Sequence, residues 1–338
     1  MTVKILTHGD ADGICAAAIA KARFPKAEIW FTRPVSLLDD LREVQLGDTV
    51  VITDIAIDES RKEQIFERMR ELARRGEVIF IDHHHLPPNT IKKDVPATKL
   101  VNEIGVSASE LAFKLFQRGI GQNLDRIALI GSIVDYLEDS DFVRAGLNKY
   151  DHRTIYFEAC ILSQALSFVG SNYGFKRDVV VDLSKGRLPS GSPELVDRAI
   201  KGTEREYRVW DYVSEHVEPE GNIAFVYDLP SGSPGKAALY ALGITGADVG
   251  MCTRESNGKV DVSVRRRVGA KLDLNVLLRH ITARVGGSGG GHEGAAGATI
   301  PAESFKEFIR VFKHEVFHPE KYPVAVRHGK ARSLKLKL

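Results

Sequence analysis

The residues of this chain that could do chemistry fall at the ends of short apolar runs. Val3-Lys4-Ile5-Leu6 leads into Thr7-His8-Gly9-Asp10-Ala11-Asp12-Gly13, Val50-Val51-Ile52-Thr53 into Asp54, and Val78-Ile79-Phe80-Ile81 into Asp82-His83-His84. A further run, Ile130-Gly131-Ser132-Ile133-Val134, reads as helical and ends in Asp135. In open parallel sheets, ligands bind outside the carboxyl ends of the strands. A mixture of carboxylates and imidazoles placed there is a donor set for divalent cations. In an extended strand end, His8, Asp10 and Asp12 share one side, so they are expected to converge. Gly13 would permit a sharp turn into the next helix. A single Asp after a strand is more often a helix cap than a ligand, but capping does not explain Asp or His at several unrelated strand ends. Two cations about 3.5–4 Å apart would suit so many carboxylates, clamping an in-line displacement at phosphorus and generating hydroxide at neutral pH. Mixed His and carboxylate ligation favours Mn²⁺ over Mg²⁺, because imidazole prefers later metals.

The elements that must position these groups alternate. Short apolar strands are expected at 3–7, 29–31, 49–53 and 78–81, with helices at 13–23 and 58–75. Continuous apolar strands alternating with helices argue a parallel sheet covered by helices. From 107 to about 184 helical patterns dominate, and Ser107 three residues before Glu110 suggests a capping box. Leu188-Pro189-Ser190-Gly191-Ser192-Pro193 reads as a break, followed by a charged helical segment. The expected organisation is a metal-binding domain over 1–185, a helical linker over 186–221, a smaller α/β domain over 222–318 and a basic tail over 319–338.

In the second domain, strands are expected at 223–227, 249–253 and 259–264, with helices after Pro234 and Asp273 and at 304–317. Seven of the twelve residues from Gly286 to Gly297 are glycine. Such a segment lets backbone N–H groups approach phosphate oxygens, with His292 as an added donor. It is expected to act as a substrate loop leading into a packed strand at 295–300. Arg265 leaves its strand on the polar face, and Arg266 and Arg267 extend a basic edge suited to phosphate. Stacking on aromatic rings would hold a single strand. Tyr136, Phe142, Tyr150 and Tyr173 are the candidates, and the sequence does not choose among them.

The 338 residues carry 47 basic and 45 acidic side chains, so bulk charge does not announce a nucleic-acid binder. Only the end is lopsided: after Glu320 come Lys321, Arg327, Lys330, Arg332, Lys335 and Lys337 with no acidic residue. A solvated tail is expected. A polyanion-binding arm is the alternative, and the alternation of Leu334, Leu336 and Leu338 with lysines would also suit an added edge strand. The widely spaced Cys15, Cys160 and Cys252 argue against a disulfide framework or zinc knuckle. With neither a signal sequence nor a membrane span, a cytoplasmic protein is expected.

The segments 7–13, Asp54, 82–84 and Asp135 resemble, in order, the four motifs of the DHH phosphoesterase superfamily. Gly289-Gly290-Gly291-His292-Glu293-Gly294-Ala295-Ala296-Gly297 resembles the signature of its accessory DHHA1 domain. The resemblance covers nearly the whole chain. It implies an α/β protein of two domains, a parallel-sheet DHH domain and a smaller α/β DHHA1 domain with a cleft between. The implied branch holds nano-RNases, RecJ-like exonucleases and phosphatases of 3′-phosphoadenosine 5′-phosphate. The resemblance further implies two Mn²⁺ ions, with Mg²⁺ or Co²⁺ as substitutes. His8, Asp10 and Asp54 would hold one, and Asp12, Asp54, His83 and Asp135 the other, with Asp54 bridging. His84 would sit near the scissile phosphate, with Asp82 orienting the histidines. Arg265, Gly289, Gly290, Gly291 and His292 would bind substrate.

The implied activity is a phosphodiesterase that releases mononucleotides from short single-stranded RNA or DNA, a metal-activated water attacking phosphorus. The alternatives are 3′-phosphoadenosine 5′-phosphate phosphatase and cyclic-dinucleotide phosphodiesterase. From a different class comes a replication or repair binding partner; the complete set of metal positions speaks against that as the only role. Expected partners are short single strands or phosphorylated nucleotides, without a membrane, and a homodimer is the oligomer considered.

Overall fold

The structure, a computed structural model, describes residues 2–121 and 123–323. The expectations for the tail beyond residue 323 lie outside the described residues. Contacts divide the chain into two units, meeting between Thr203 and Glu204.

The first unit runs β1 (Val3–Thr7), α1 (Ala11–Arg23), β2 (Glu28–Phe31), α2 (Leu37–Arg42), β3 (Thr49–Thr53), α3 (Lys62–Ala73), β4 (Glu77–Asp82) and β5 (Lys99–Asn102). Then come α4 (Ala108–Phe116), α5 (Leu124–Val134), α6 (Asp141–Lys149), α7 (His152–Val169), α8 (Tyr173–Ser184) and the start of α9 (Pro193–His216). The strands form one parallel sheet in the order β2-β1-β3-β4-β5. Alternation along each strand divides two cores. Ile5, Val51, Ile79 and Ile81 face α1, α4, α5, α7 and α8, whereas Leu6, Val50, Ile52 and Phe80 face α2 and α3. Ala16, Ala17, Ala18 and Ala20 are fully buried in α1, so this helix sits tightly among its neighbours. The chain order departs from the spatial order around β1 and β3, which makes the carboxyl ends of those strands the place for a ligand.

Several elements differ from expectation. Helix α2 and strand β5 were not anticipated, because six residues and four half-buried residues give too little periodicity to read. The helix expected from residue 58 opens with a 3₁₀ turn at Glu59–Arg61 before α3. Ser107 caps α4 by accepting from the Glu110 N–H at 3.1 Å, but the Glu110 carboxylate does not return to it. It accepts from Ser140 Oγ at 2.7 Å and pairs with Lys114 Nζ at 2.6 Å. The break at 188–193 is packed: the Ser190 N–H and Oγ both donate to Glu158 on α7, at 2.7 and 2.5 Å.

The second unit takes the rest of α9, then β6 (Glu218–Glu220), β7 (Ile223–Val226), α10 (Pro234–Thr245), β8 (Val249–Ser256), β9 (Lys259–Arg266), α11 (Leu274–Val285), β10 (Ser288–Gly291), β11 (Ala295–Pro301) and α12 (Phe305–Val316). Its sheet has the order β10-β11-β9-β8-β7-β6, antiparallel except for the β7–β8 pair. Helices α11 and α12 cover one face, and α10 with the later part of α9 the other. No described helix is long and apolar enough to cross a membrane.

Candidate metal centre

The candidate ligands gather at the carboxyl ends of β1, β3 and β4. One ligand atom from each of His8, Asp10 and Asp54 lies within 4.8 Å of the others, and so do atoms of Asp12, His83 and Asp135. His83 Nε2 connects the groups, 3.2 Å from Asp54 Oδ1 and 3.5 Å from Asp135 Oδ2.

The local structure that achieves this is not the extended strand end inferred from parity. β1 stops at Thr7. Asp10 is the N-cap of α1, its Oδ1 accepting from the Gly13 N–H at 2.9 Å while Oδ2 meets His8 Nδ1 at 2.6 Å. Asp12 lies in the first helical turn and therefore points elsewhere. Its carboxylate accepts from the N–H groups of Ala108 and Ser109, at 2.7 and 3.0 Å, at the start of α4. Helical rotation thus sends two carboxylates of one short motif to different groups. Gly13 is needed for space rather than for a turn: a Cβ there would come within 2.6 Å of the His8 carbonyl oxygen and 3.0 Å of Asp54 Oδ2.

Asp54 leaves β3 with φ +58, a left-handed conformation that Asp tolerates better than most residues. Its N–H still donates to the Ile81 carbonyl at 2.9 Å, which ties the turn to β4. Asp82 is the last residue of β4 and is buried. Its carboxylate accepts from the His84 N–H at 3.1 Å and faces His84 Nδ1 at 2.8 Å. Asp82 therefore orients His84. Asp135 caps the C-terminus of α5.

The electrostatics show that the residues fit a cation. Asp54 is buried, and its Oδ2 has no hydrogen-bond partner among the described residues. Leaving an ionised oxygen in that state costs roughly 1–3 kcal/mol or more. Burial and the charges of Asp10, Asp12 and Asp135 hold the Asp54 carboxyl far above the usual carboxylate range. Asp135 is pushed up to about 8 by burial and the charges of Asp12 and Asp10. Burial lowers the His83 imidazole, which keeps it neutral and able to ligate. For His84, burial is outweighed by Asp82, and the ring is pushed up to about 9. Buried carboxylates that repel one another beside a neutral imidazole are relieved by a divalent ion.

Three supports were not read from sequence. Lys176 on α8, almost fully buried, donates from Nζ to the Gly9 carbonyl at 2.5 Å and so holds the loop between His8 and Asp10. Asn102, at the end of β5, donates from Nδ2 to the carbonyls of Asp82 and His84, at 3.2 and 3.0 Å. Thr53 Oγ1 donates to Thr7 Oγ1 at 2.8 Å, and Thr7 Oγ1 to the Gly13 carbonyl at 2.7 Å, joining the two strand tips to α1. A polar residue ending an apolar strand was the available signal for Asn102. Lys176 carried none.

In the second unit the expected glycine loop is in part an edge strand. Ser288–Gly291 forms β10, paired antiparallel to β11. The Gly291 N–H donates to Asn275 Oδ1 at 3.1 Å, and a Cβ on Gly289 would come within 2.9 Å of Thr282 on α11. Close packing on α11 accounts for Gly289, whereas Gly291, at φ +143, would bring a Cβ within 2.7 Å of the Ala295 carbonyl oxygen on β11. His292 begins the β10–β11 turn, its N–H donating to the Ala295 carbonyl at 2.8 Å. Arg265 pairs in register with Ala295, so it lies at the same end of the sheet as that turn. Of the two arginines that follow, Arg266 is tied into the neighbouring loop, whereas Arg267 is exposed. Arg266 binds the Glu293 carbonyl at 3.0 Å and its carboxylate at 3.2 Å, and Arg267 binds the carbonyls of Gly246 and Ala247 after α10.

Comparison with known proteins follows the same division. The DHH family N-terminal domain matches residues 2–136, and the DHHA1 domain matches residues 221–316. No curated protein sequence matches the chain. Among solved structures, a DHH-domain protein described as a member of a family of ribosomal proteins aligns with TM-score 0.69 and 17% identity, over 96% of this chain and 87% of that one. A manganese-bound RecJ exonuclease aligns with TM-score 0.61 and 18% identity, over 97% and 92%. A pGpG-specific phosphodiesterase from Vibrio cholerae aligns with TM-score 0.57 and 14% identity, over 94% and 100%. At these identities the likeness is one of fold. With both family domains present in order, the chain belongs to the DHH superfamily of phosphoesterases.

Proposed function

We propose that the protein is a Mn²⁺-dependent phosphodiesterase that hydrolyses short single-stranded oligonucleotides to mononucleotides. The observation that carries the reading is Asp54, which groups with His8 and Asp10, stands 3.2 Å from His83 Nε2 of the Asp12–His83–Asp135 group, and has an Oδ2 buried without a hydrogen-bond partner among the described residues. In this reading His8, Asp10 and Asp54 hold one ion, and Asp12, Asp54, His83 and Asp135 hold the other. When bound, divalent ions neutralise charge on the phosphoryl group and acidify water. The chain's own residues do the rest. Asp82 fixes the His84 ring through Nδ1, so Nε2 is the nitrogen that meets a phosphate oxygen. Asn102 and Lys176 hold the two loops that carry the ligands. Arg265 and His292 would bind a substrate phosphate in the second unit, with Gly289, Gly290 and Gly291 shaping the strand beside them.

The test is a substrate panel with Mn²⁺, Mg²⁺ and Co²⁺: RNA and DNA dinucleotides and longer strands, a cyclic dinucleotide and 3′-phosphoadenosine 5′-phosphate. Release of mononucleotides from short strands, fastest with Mn²⁺, is the expected result. Turnover confined to the cyclic dinucleotide or the bisphosphate would replace this reading with one of those activities. No turnover of any phosphoester, with nucleic acid bound intact, would leave a binding protein.

A further inference from the structure

We infer that Tyr136 is a stacking platform for a nucleobase of the substrate, displayed beside the metal-binding carboxylates. The inference rests on the phosphodiesterase reading and narrows its substrate to phosphoesters that carry a base. The structure separates the four aromatic candidates. Phe142 packs on Phe113 with ring centroids 5.7 Å apart. Tyr150 donates from its hydroxyl to Asp125 and lies under the cations of Arg126 and Lys149. Tyr173 stacks on Phe31 at 5.3 Å with an interplanar angle of 17°. Tyr136 is 80% exposed and immediately follows Asp135, whose Oδ2 is 3.5 Å from His83 Nε2.

The backbone makes the choice of residue informative. Tyr136 has φ +57, a conformation that disfavours a bulky side chain and that glycine or asparagine adopts with less strain. A turn alone would not call for tyrosine, and a ring so exposed gains little from packing. Nor is its display an accident of a loose segment. The Tyr136 N–H donates to the Ile133 carbonyl at 3.1 Å and the Leu137 N–H to the Ser132 carbonyl at 3.0 Å. Beyond it, Glu138 accepts from the Tyr156 hydroxyl, and Ser140 Oγ donates to the buried Glu110 carboxylate at 2.7 Å. Tyr136 therefore stands on a pinned turn directly after Asp135. A strained residue held by its surroundings next to a chemical centre is a mark of function. A flat aromatic face accepts any base, which suits a single-strand substrate without sequence preference.

The test compares the wild-type protein, Tyr136→Phe and Tyr136→Asn on a dinucleotide and on the same phosphodiester lacking its bases, with Mn²⁺. Stacking is worth about 1–3 kcal/mol per base, so Tyr136→Asn should lower kcat/KM on the dinucleotide roughly 5- to 150-fold. Tyr136→Phe should stay close to wild type, and neither variant should change turnover of the base-free diester. Asparagine suits the left-handed conformation, so the melting temperature of Tyr136→Asn should be at or above that of wild type. Unchanged dinucleotide kinetics in Tyr136→Asn, or an equal loss on both substrates, would overturn the inference. Failure of the parent reading shows separately, as a wild-type protein inactive on both substrates. In that event, calorimetric binding of a mononucleotide and of ribose 5-phosphate to the Mn²⁺-loaded protein decides. A mononucleotide preference lost in Tyr136→Asn supports the platform, and equal affinity for the two ligands in wild type overturns it.

Discussion

Two sheet ends in this molecule carry clustered ionisable side chains, and they are built on opposite terms. At the ends of β1, β3 and β4, Asp12, Asp54, Asp82 and His83 are buried near one another, and Asp54 has an oxygen with no hydrogen bond among the described residues. At the end of β9, Arg266 and Arg267 spend their donors on the carbonyls of Glu293, Ala270, Gly246 and Ala247. The two places differ in how their charges are compensated. Where the fold satisfies its own charges, the cluster holds loops together. Where it does not, an oxygen is left for a partner from outside.

The largest expected effect breaks the uncompensated end. Asp54→Asn keeps the left-handed backbone but removes the carboxylate that the proposed reading shares between two ions, and turnover should fall by roughly 100-fold or more. The same change removes charge repulsion, so the metal-free variant should melt higher than metal-free wild type while gaining less from added Mn²⁺. Scanning calorimetry with and without Mn²⁺ reads both. A variant that loses stability without metal would mean that Asp54 is compensated within the fold after all.

The second prediction divides the basic end. Arg265→Ala should reduce kcat/KM on dinucleotides by roughly 10- to 100-fold, the worth of a charge-assisted phosphate contact. Its Mn²⁺ affinity should not move. Arg266→Ala should do the reverse, lowering the melting temperature because the Glu293 and Ala270 carbonyls lose their donor. If both variants behave alike, the distinction between a binding arginine and a strapping arginine fails.

A smaller effect is expected at Lys176. Lys176→Met should weaken Mn²⁺ binding about tenfold by freeing the loop between His8 and Asp10, an effect of the size seen for groups that orient metal ligands. Lys176→Arg should recover part of it. Calorimetric Mn²⁺ titration of the two variants checks this, and unchanged affinity in Lys176→Met would confine the lysine to packing.

The smallest effect concerns a charge compensated within the second unit. Burial alone would raise the Glu315 carboxyl, but hydrogen bonds from Lys321 and Tyr322 outweigh it and hold the group down at about 2. An unfolded glutamate titrates at about 4.3, so the folded value is the lower one. Its contribution is therefore full above about pH 5 and is lost as the pH falls toward 2. Glu315→Gln should lower stability at pH 7 and flatten the acid limb of a stability–pH curve. An unchanged acid limb would remove this carboxylate from the account.

Much of the first unit was legible because strand ends and residue types point the same way. The continuous apolar runs at β1, β3 and β4 announce buried parallel strands, and polar residues directly after them stand out. The geometry of the ligands was less legible. Parity along an extended chain put Asp10 and Asp12 on one side, but the helix starts at Ala11, and one helical step turns Asp12 toward α4. Long-range supports such as Lys176, 167 positions from Gly9, leave no mark in local sequence. In the second unit a glycine run carries two meanings, approach to a ligand and approach to a neighbouring helix. Only the packing of Gly289 on Thr282 reveals the second.

The hydrogen bonds that Asp12 receives from Ala108 and Ser109 give two backbone amides a direct line to the candidate metal centre. Charge drawn from that carboxylate by a cation alters how strongly it holds those protons, and a cation that immobilises the carboxylate also immobilises the first turn of α4. Hydrogen–deuterium exchange at these two sites is therefore a gauge of metal loading that needs neither substrate nor turnover. It would register an ion that binds without supporting catalysis, and so separate occupancy from competence.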